Sequence, residues 1–401
     1  MTNADPTALP ELRLKRGEDR RISAGHLWVF SNEVATDRTP LQNFQPGDHC
    51  RILSDRDKFL GYAYVNPHSL ICARILGRDP AFQPGRSLIV HRLQVAQSLR
   101  RALYDAPYYR LVYGESDGLP GLVLDRFGDV VVGQIATAGM EAMRNEIEAA
   151  VKKVIAPAAM LWKNDAGARD LEGLPHYEEI AFGEPPAMLV VEEGGLRFEA
   201  PVSGGQKTGW FFDQAANRLA LRKYAGGARV LDVFSYLGAW GLGALRAGAT
   251  EATCVDSSAA ALELLQANAT ANALKPALIR GDAFDVLERL HAEGRRFDVV
   301  VIDPPAFIKR KKDAPKGEAA YKRLNQLAMQ VLERDGFLVS CSCSHHLEAG
   351  ALVDAIQRAA RHLNRSAQIV EVGGQAPDHP IHPAIPETRY LKAFFARVTV
   401  A

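Results

Sequence analysis

Long hydrophobic runs are missing from this 401-residue chain: nothing approaches the roughly 18 uninterrupted apolar residues that a membrane helix needs. The opening stretch Met1 to Pro10 does not have the layout of a signal peptide, so no membrane partner is expected. An excess of one charge is missing too. With 48 Lys and Arg against 47 Asp and Glu, net charge gives no argument for a polyanionic partner, and any nucleic-acid surface must be local. Cysteine is sparse: Cys50, Cys72, Cys254, Cys341 and Cys343 are odd in number and scattered. That pattern excludes a disulfide framework and predicts a reducing cytoplasm.

What is present describes an ordinary globular protein, with 47% apolar and 24% charged residues. At about 150 residues per domain the length predicts two or three domains. Residues 12–76 alternate short apolar segments with turn clusters such as Gln45-Pro46-Gly47-Asp48, the spacing of a small β-barrel. The stretch from Leu12 to Arg21 holds five basic residues against two acids. A basic strand and exposed aromatics on such a barrel predict an RNA platform in residues 1–76. Residues 80–200 predict a central α+β domain, with helices over 85–103 and 140–154 and a strand over 130–135. A second basic run, Lys309-Arg310-Lys311-Lys312, reads alone as a solvated turn.

The stretch from Arg229 to Asp256 organises the remainder. An apolar strand enters a loop at Phe234, Gly238 and Gly241 allow a tight turn, a short helix follows, and a second strand ends on Asp256. An acid in that place of a βαβ unit commonly accepts the hydroxyls of a ribose. The loop lacks G-x-G-x-x-G, because Phe234 and Tyr236 stand where glycines would admit a pyrophosphate. A dehydrogenase is therefore disfavoured, and S-adenosylmethionine, with ribose and adenine but no phosphates, fits better. Asp282 is placed to meet the adenine amino group. Segment 204–214, glycines beside Trp210 and Phe211, suits a lid over a sulfonium, whose charge aromatic faces attract. Further strands over 277–280, 297–302 and 336–342, and two near Ile369 and Leu391 to Val398, predict a doubly wound sheet of seven strands filling 201–401.

The residues at this point carry a family resemblance. Asp303-Pro304-Pro305-Ala306-Phe307 is similar to the fourth motif of class I S-adenosylmethionine-dependent methyltransferases. The Asp232 to Gly238 loop and Gln206-Lys207-Thr208-Gly209 with Asp213-Gln214 narrow the match. Gly25 to Ser31, Gly114 to Gly121 and Asp378-His379-Pro380 extend it over nearly the whole chain. Together they resemble the large-subunit ribosomal RNA cytosine-5 methyltransferases of the RlmI type, with Ala306 a departure where many relatives carry a basic residue. The resemblance implies a PUA-like N-terminal domain and a Rossmann-like C-terminal domain. It implies ribosomal RNA as partner, with a homodimer left open. It also implies S-adenosylmethionine held by Gln214, Asp232, Phe234, Ser235, Tyr236, Gly238, Asp256, Ser257, Asp282, Ala283 and Asp303, with no metal.

The chemistry asks for one more group. Carbon 5 of cytosine is a poor nucleophile until a thiolate adds to carbon 6, so a cysteine must stand near the methyl donor. Cys341 and Cys343 both qualify by spacing, being two apart on one strand face. Cys343 lies nearer the loop and falls on the family's Ser-Cys-Ser motif, so the resemblance assigns it as nucleophile, with Asp303 orienting the base. The competing readings are a guanine or adenine N-methyltransferase of the same fold and a non-catalytic RNA-binding protein.

Overall fold

The computed structural model describes residues 9–202 and 208–401. The chain forms two compact units. One comprises the chain up to Leu189, Pro201–Trp210 and Asp378–Thr388, and the other Val190–Ala200, Phe211–Pro377 and Arg389–Ala401. Among the described residues no helix is long and apolar enough to cross a membrane. Residues 204–207 of the expected lid, and with them Gln206 and Lys207, lie outside the described residues.

The first unit holds two five-stranded sheets. One orders strands Glu11–Arg13, His49–Leu53, Phe59–Val65, Ile71–Gly77 and Trp28–Phe30 around a core that includes Leu12, Ile22, Val29, Cys50, Ile52, Cys72 and Ile75. The exposed aromatics expected of this sheet are not there. Tyr62 and Tyr64 are buried, and the Tyr64 hydroxyl donates to Pro120 O at 2.8 Å. Beyond Phe59 strand Phe59–Val65 is covered on both faces, so Tyr62 and Tyr64 are buried. The basic segment is partly consumed as well: Arg13 pairs with Asp57 and Arg21 with Glu33, leaving Lys15, Arg16 and Arg20 exposed.

The other sheet orders Tyr177–Phe182, Ala159–Asn164, Val130–Ile135, Leu122–Phe127 and Tyr108–Tyr113. Helix Arg86–Leu103 packs here, while the expected single helix over 140–154 is divided at Met143 into Ala138–Ala142 and Arg144–Val154. A buried ionic cluster fastens this unit. Arg100 closes a fork on Asp117 at 2.5 and 2.8 Å and also donates to Asp378 O at 2.6 Å. Arg110 closes another on Asp125 at 2.8 Å, and its backbone N–H donates to Asp378 Oδ2 at 2.8 Å. Asp378 in turn holds His379 Nδ1 at 2.7 Å. The Asp378-His379-Pro380 motif is thus part of a structural fastener.

The second unit is built on seven strands, β1 (Arg229–Val233), β2 (Glu251–Asp256), β3 (Ala277–Arg280), β4 (Phe297–Ile302), β5 (Leu332–Ser342), β6 (Arg365–Gly373) and β7 (Lys392–Val400). Their order is β3-β2-β1-β4-β5-β7-β6, with β1 to β5 parallel and β7 antiparallel to both neighbours. Helices α1 (Ala215–Ala225), α2 (Ala239–Arg246), α3 (Ala259–Ala271), α4 (Ala283–Ala292), α5 (Ala314–Gln330) and α6 (Ala349–His362) cross between them. Leu231, Val233 and Val300 turn to one core with α4, α5 and α6; Val230, Val299 and Val301 turn to another with α1 and α2. Burial on both faces explains the nearly continuous apolar runs of these strands. The sheet reverses its order between β1 and β4, the switch point where ligands of open α/β sheets bind.

Candidate active site

The loop from β1 to α2 leaves the sheet at that switch point under backbone strain. Phe234 sits at φ 68° and Tyr236 at φ 48°, left-handed values that cost a non-glycine residue about 1–3 kcal/mol. Gly238 follows at φ 82°, and a Cβ there would meet Leu265 Cγ at 2.6 Å. Gly241 serves differently from the turn expected of it. It lies inside α2, and its missing Cβ lets the helix close on Cys254 Sγ and on Asp232. Asp256 secures the loop from the end of β2, accepting from Tyr236 N at 2.9 Å and from Ser258 N at 2.9 Å. The Phe211 ring meets Tyr236 edge-on, 5.6 Å between centroids.

Carboxylates gather along this edge, with Arg218 the described cation that acts on them. Asp232 is fully buried; its Oδ2 accepts from Gly241 N at 2.9 Å, and its Oδ1 has no partner, like the buried Ser235 Oγ. Burial, then the neighbouring Asp303 and Asp256, push its carboxyl up to about 7 against the pull of the Gly241 N–H and Arg218. Asp303 is clamped by two neutral donors, Gln214 Nε2 at 2.8 Å on Oδ1 and Trp240 Nε1 at 3.1 Å on Oδ2. Burial raises it to about 6, with Asp213 adding to the rise and Trp240, Arg218 and Gln214 opposing it. Asn217 fixes the Gln214 amide by donating to its Oε1 at 2.7 Å.

The two candidate cysteines part company here. Cys341 is fully buried among Val339 and Phe395, and burial drives its thiol well above the ordinary range. Cys343, just past the end of β5, is half-exposed, with Sγ 3.9 Å from Pro304 O. Its flanking serines are held from α5: Ser342 Oγ donates to the Tyr321 hydroxyl at 2.8 Å, which lies 3.0 Å from Ser344 Oγ. Ser344 Oγ also accepts from Ile308 N at 3.2 Å, joining the Cys343 loop to the Asp-Pro-Pro loop. Phe307 packs among Phe234, Phe284 and Tyr321 at centroid distances of 6.5, 6.3 and 4.8 Å.

The remaining expected residues stand apart from that network. Asp282 is exposed and caps α4, accepting from Phe284 N at 2.9 Å. The Ala283 methyl lies in the core. Ser257 is exposed, and the cap of α3 falls to Ser258. His345 is exposed and stacks on Tyr390 at 5.2 Å, and the Tyr390 hydroxyl donates to Asp213. Among the described residues no cluster of His, Cys, Asp or Glu could hold a metal.

Residues 12–78 match a PUA-like domain family, and residues 212–361 match the family described as conserved hypothetical protein 95. The chain is 36% identical to ribosomal RNA large subunit methyltransferase I of Klebsiella pneumoniae over 396 residues, 97% of this chain and 98% of that protein. The protein of that name from Erwinia tasmaniensis is 36% identical over 394 residues, 96% of this chain and 99% of its own. The chain belongs to the ribosomal RNA large subunit methyltransferase I family. In fold it is similar to a structure described as a SAM-dependent methyltransferase from Streptococcus mutans, with TM-score 0.81, 21% identity and coverage of 97% of this chain and 100% of that one. A methyltransferase structure described as complexed with SAH gives TM-score 0.83 at the same identity and coverage.

In this member of the family, reading the sequence did not find Trp240, Tyr321 or Lys392. Trp240 had a signal, standing two residues after Gly238 of the strained loop. Tyr321 had none, because α5 itself went unread. Lys392 lies in an apolar run that reads only as strand.

Proposed function

We propose that this protein methylates carbon 5 of a cytosine in large-subunit ribosomal RNA, using S-adenosylmethionine and a covalent adduct on Cys343. The observation that carries the reading is the half-exposed Cys343 sulfur beside the Pro304 carbonyl, next to Asp303, while the other four cysteines are buried. For the donor, the strained Phe234–Gly238 loop, Asp256, and the partnerless buried Asp232 Oδ1 and Ser235 Oγ supply polar groups at the switch point. Asp282 and Gln214 stand at the same edge. When bound, the sulfonium supplies an electrophilic methyl group.

The chain's own residues do the rest. The Cys343 thiolate forms a bond to carbon 6; the C5=C6 pair shifts to C4–C5, and the C4=N3 pair moves onto N3. Asp303, with its carboxyl raised to about 6, is suited to hand N3 the proton it then needs. The C4=C5 pair would then form the bond to the methyl carbon, whose bond to sulfur breaks with its pair left on sulfur, as the N3 pair re-forms C4=N3. Loss of the carbon-5 proton to a base re-forms C5=C6 and expels the thiolate, and N3 returns its proton to Asp303. The PUA-like residues 12–78, with exposed Lys15, Arg16 and Arg20, and the exposed run Lys309 to Lys312 after the Asp-Pro-Pro loop offer phosphate contacts.

A nitrogen-methylating reading would place an aromatic residue directly after the two prolines to stack the base. Ala306 stands there, and Phe307 is engaged with Phe234, Phe284 and Tyr321. The test uses ribosomal RNA carrying 5-fluorocytosine, from which fluorine cannot be eliminated. The wild-type protein should be trapped covalently at Cys343, Cys343→Ala should form no adduct and no product, and Cys341→Ala should stay active. Full activity in Cys343→Ala, or methyl transfer to a nitrogen, would overturn the reading.

A further inference from the structure

The mechanism needs Cys343 as a thiolate, and carboxylates are among the described groups near its strand. Asp303 from the end of β4 and Asp213 before α1 both raise the thiol of Cys341, two residues back on the strand. Buried Cys341 on β5 and the buried phenol of Tyr321 on α5 add no positive charge. Arg218 on α1 is spent in a fork on Glu193, at 2.5 and 2.6 Å. A different cation is built into the Cys343 loop itself.

Lys392 opens β7 in register with Ser342, the residue before Cys343. Its Nζ donates to Ser344 O at 2.6 Å and to Leu347 O at 2.8 Å, spanning the turn that begins at Cys343. Two main-chain carbonyls thereby fix a half-buried ammonium at the residue directly after the sulfur, and the third proton remains available. We propose that Lys392 is the positioning cation that holds Cys343 as a thiolate and sets the loop that presents it. This deepens the function proposed above and rests on Cys343 being the nucleophile. On ionisation the thiol proton leaves to solvent, while the ammonium keeps its three protons.

The charges around Lys392 agree with that pairing. Burial lowers its amine to about 8, the Cys343 sulfur and Glu348 pull it back up, and Arg389 pushes it down. A cation close to a thiol lowers the pH at which the thiol ionises. The pair therefore exists between the pH at which the Cys343 thiol ionises and about pH 8, above which it weakens as the amine loses its proton.

The experiment is the pH profile of iodoacetamide alkylation in the full-length protein, read at the Cys343 peptide by mass spectrometry. Cys343 is the cysteine that is not buried, so the readout is site-specific. The wild-type midpoint should lie well below the ordinary thiol value of about 8.5. Lys392→Met and Lys392→Gln should each move it up by about one pH unit, roughly tenfold slower alkylation near pH 7, while Lys392→Arg keeps most of the wild-type profile. A wild-type midpoint at or above 8.5 overturns the proposal without any variant. So does an unshifted profile in a neutral variant with wild-type thermal stability. If the profile shifts as expected but wild-type protein forms no 5-fluorocytosine adduct, the pairing exists and the nucleophile reading fails, taking the catalytic role of Lys392 with it.

Discussion

Two clusters of buried charge in this chain are built in opposite ways. In the first unit Arg100 and Arg110 meet Asp117 and Asp125 fork to fork, and Asp378 ties both together. In the second unit Asp232, Asp303, Asp256 and Asp213 gather around one strand edge, where Asp303 is held by neutral donors and Asp232 Oδ1 has no partner. A buried charge without its counter-charge costs free energy, so a fold keeps one only where something else is to be met there. The first cluster fastens structure; the second is the one proposed to meet the cationic donor. The Asp-His-Pro segment and the Asp-Pro-Pro segment both carried the family resemblance, and their partners show that the first is a fastener.

Breaking the paired cluster should have the largest effect on stability. Arg100→Ala leaves Asp117 buried without its fork and should cost about 3–5 kcal/mol in urea unfolding of the full chain. A loss below about 1 kcal/mol would erase the distinction between the clusters.

The second cluster should show itself next, through pH. Asp232 at about 7 and Asp303 at about 6 both stand above the unfolded value of 3.8, so the folded state binds these protons more tightly. Their contribution is fully present below about pH 4 and is lost as pH rises through about 6 to 7. Unfolding free energies of the ligand-free protein should fall over that window. Asp232→Asn should flatten the slope and leave the variant more stable than wild type at pH 8 by roughly 2–4 kcal/mol. A wild-type protein that gains stability from these groups between pH 5 and 8 would contradict the assignment.

Asp256→Ala removes a charged acceptor at the end of β2 and should weaken S-adenosylmethionine binding by about 1–3 kcal/mol in titration calorimetry. Unchanged affinity would move the ribose site elsewhere. The smallest effect is expected at Tyr321→Phe, which deletes the hydroxyl between Ser342 and Ser344. About 0.5–1.5 kcal/mol of thermal stability should go with it, and a neutral result would mean the two serines re-pair without it.

Much of the second unit was legible because its signals are local. The strands over 277–280 and 297–302 have the same ends in the sequence and in the fold, since each is a short apolar run bounded by turn residues. Helix α5 was not legible. It begins with proline and glycine after a basic run, and its buried positions Tyr321, Leu324, Leu327 and Ala328 are diluted by charged and polar residues. The barrel aromatics misled for a related reason: period-2 alternation marks a half-exposed strand, but Phe59–Val65 is covered on both sides.

By itself the sequence determined where the carboxylates Asp232, Asp256 and Asp303 fall, because the ends of buried strands are written in the apolar runs that stop there. It also determined that the β1–α2 loop cannot hold a pyrophosphate, since Phe234 and Tyr236 occupy the necessary places. Tertiary structure alone decided that Cys341 is core while Cys343 is half-exposed, that Lys392 reaches back 48 residues to Ser344 O, and that Arg100 meets Asp378 across 278. The physical reason is range. A strand or a turn is fixed by neighbours a few residues away, whereas burial and charge pairing depend on which distant segments the sheet register sets side by side.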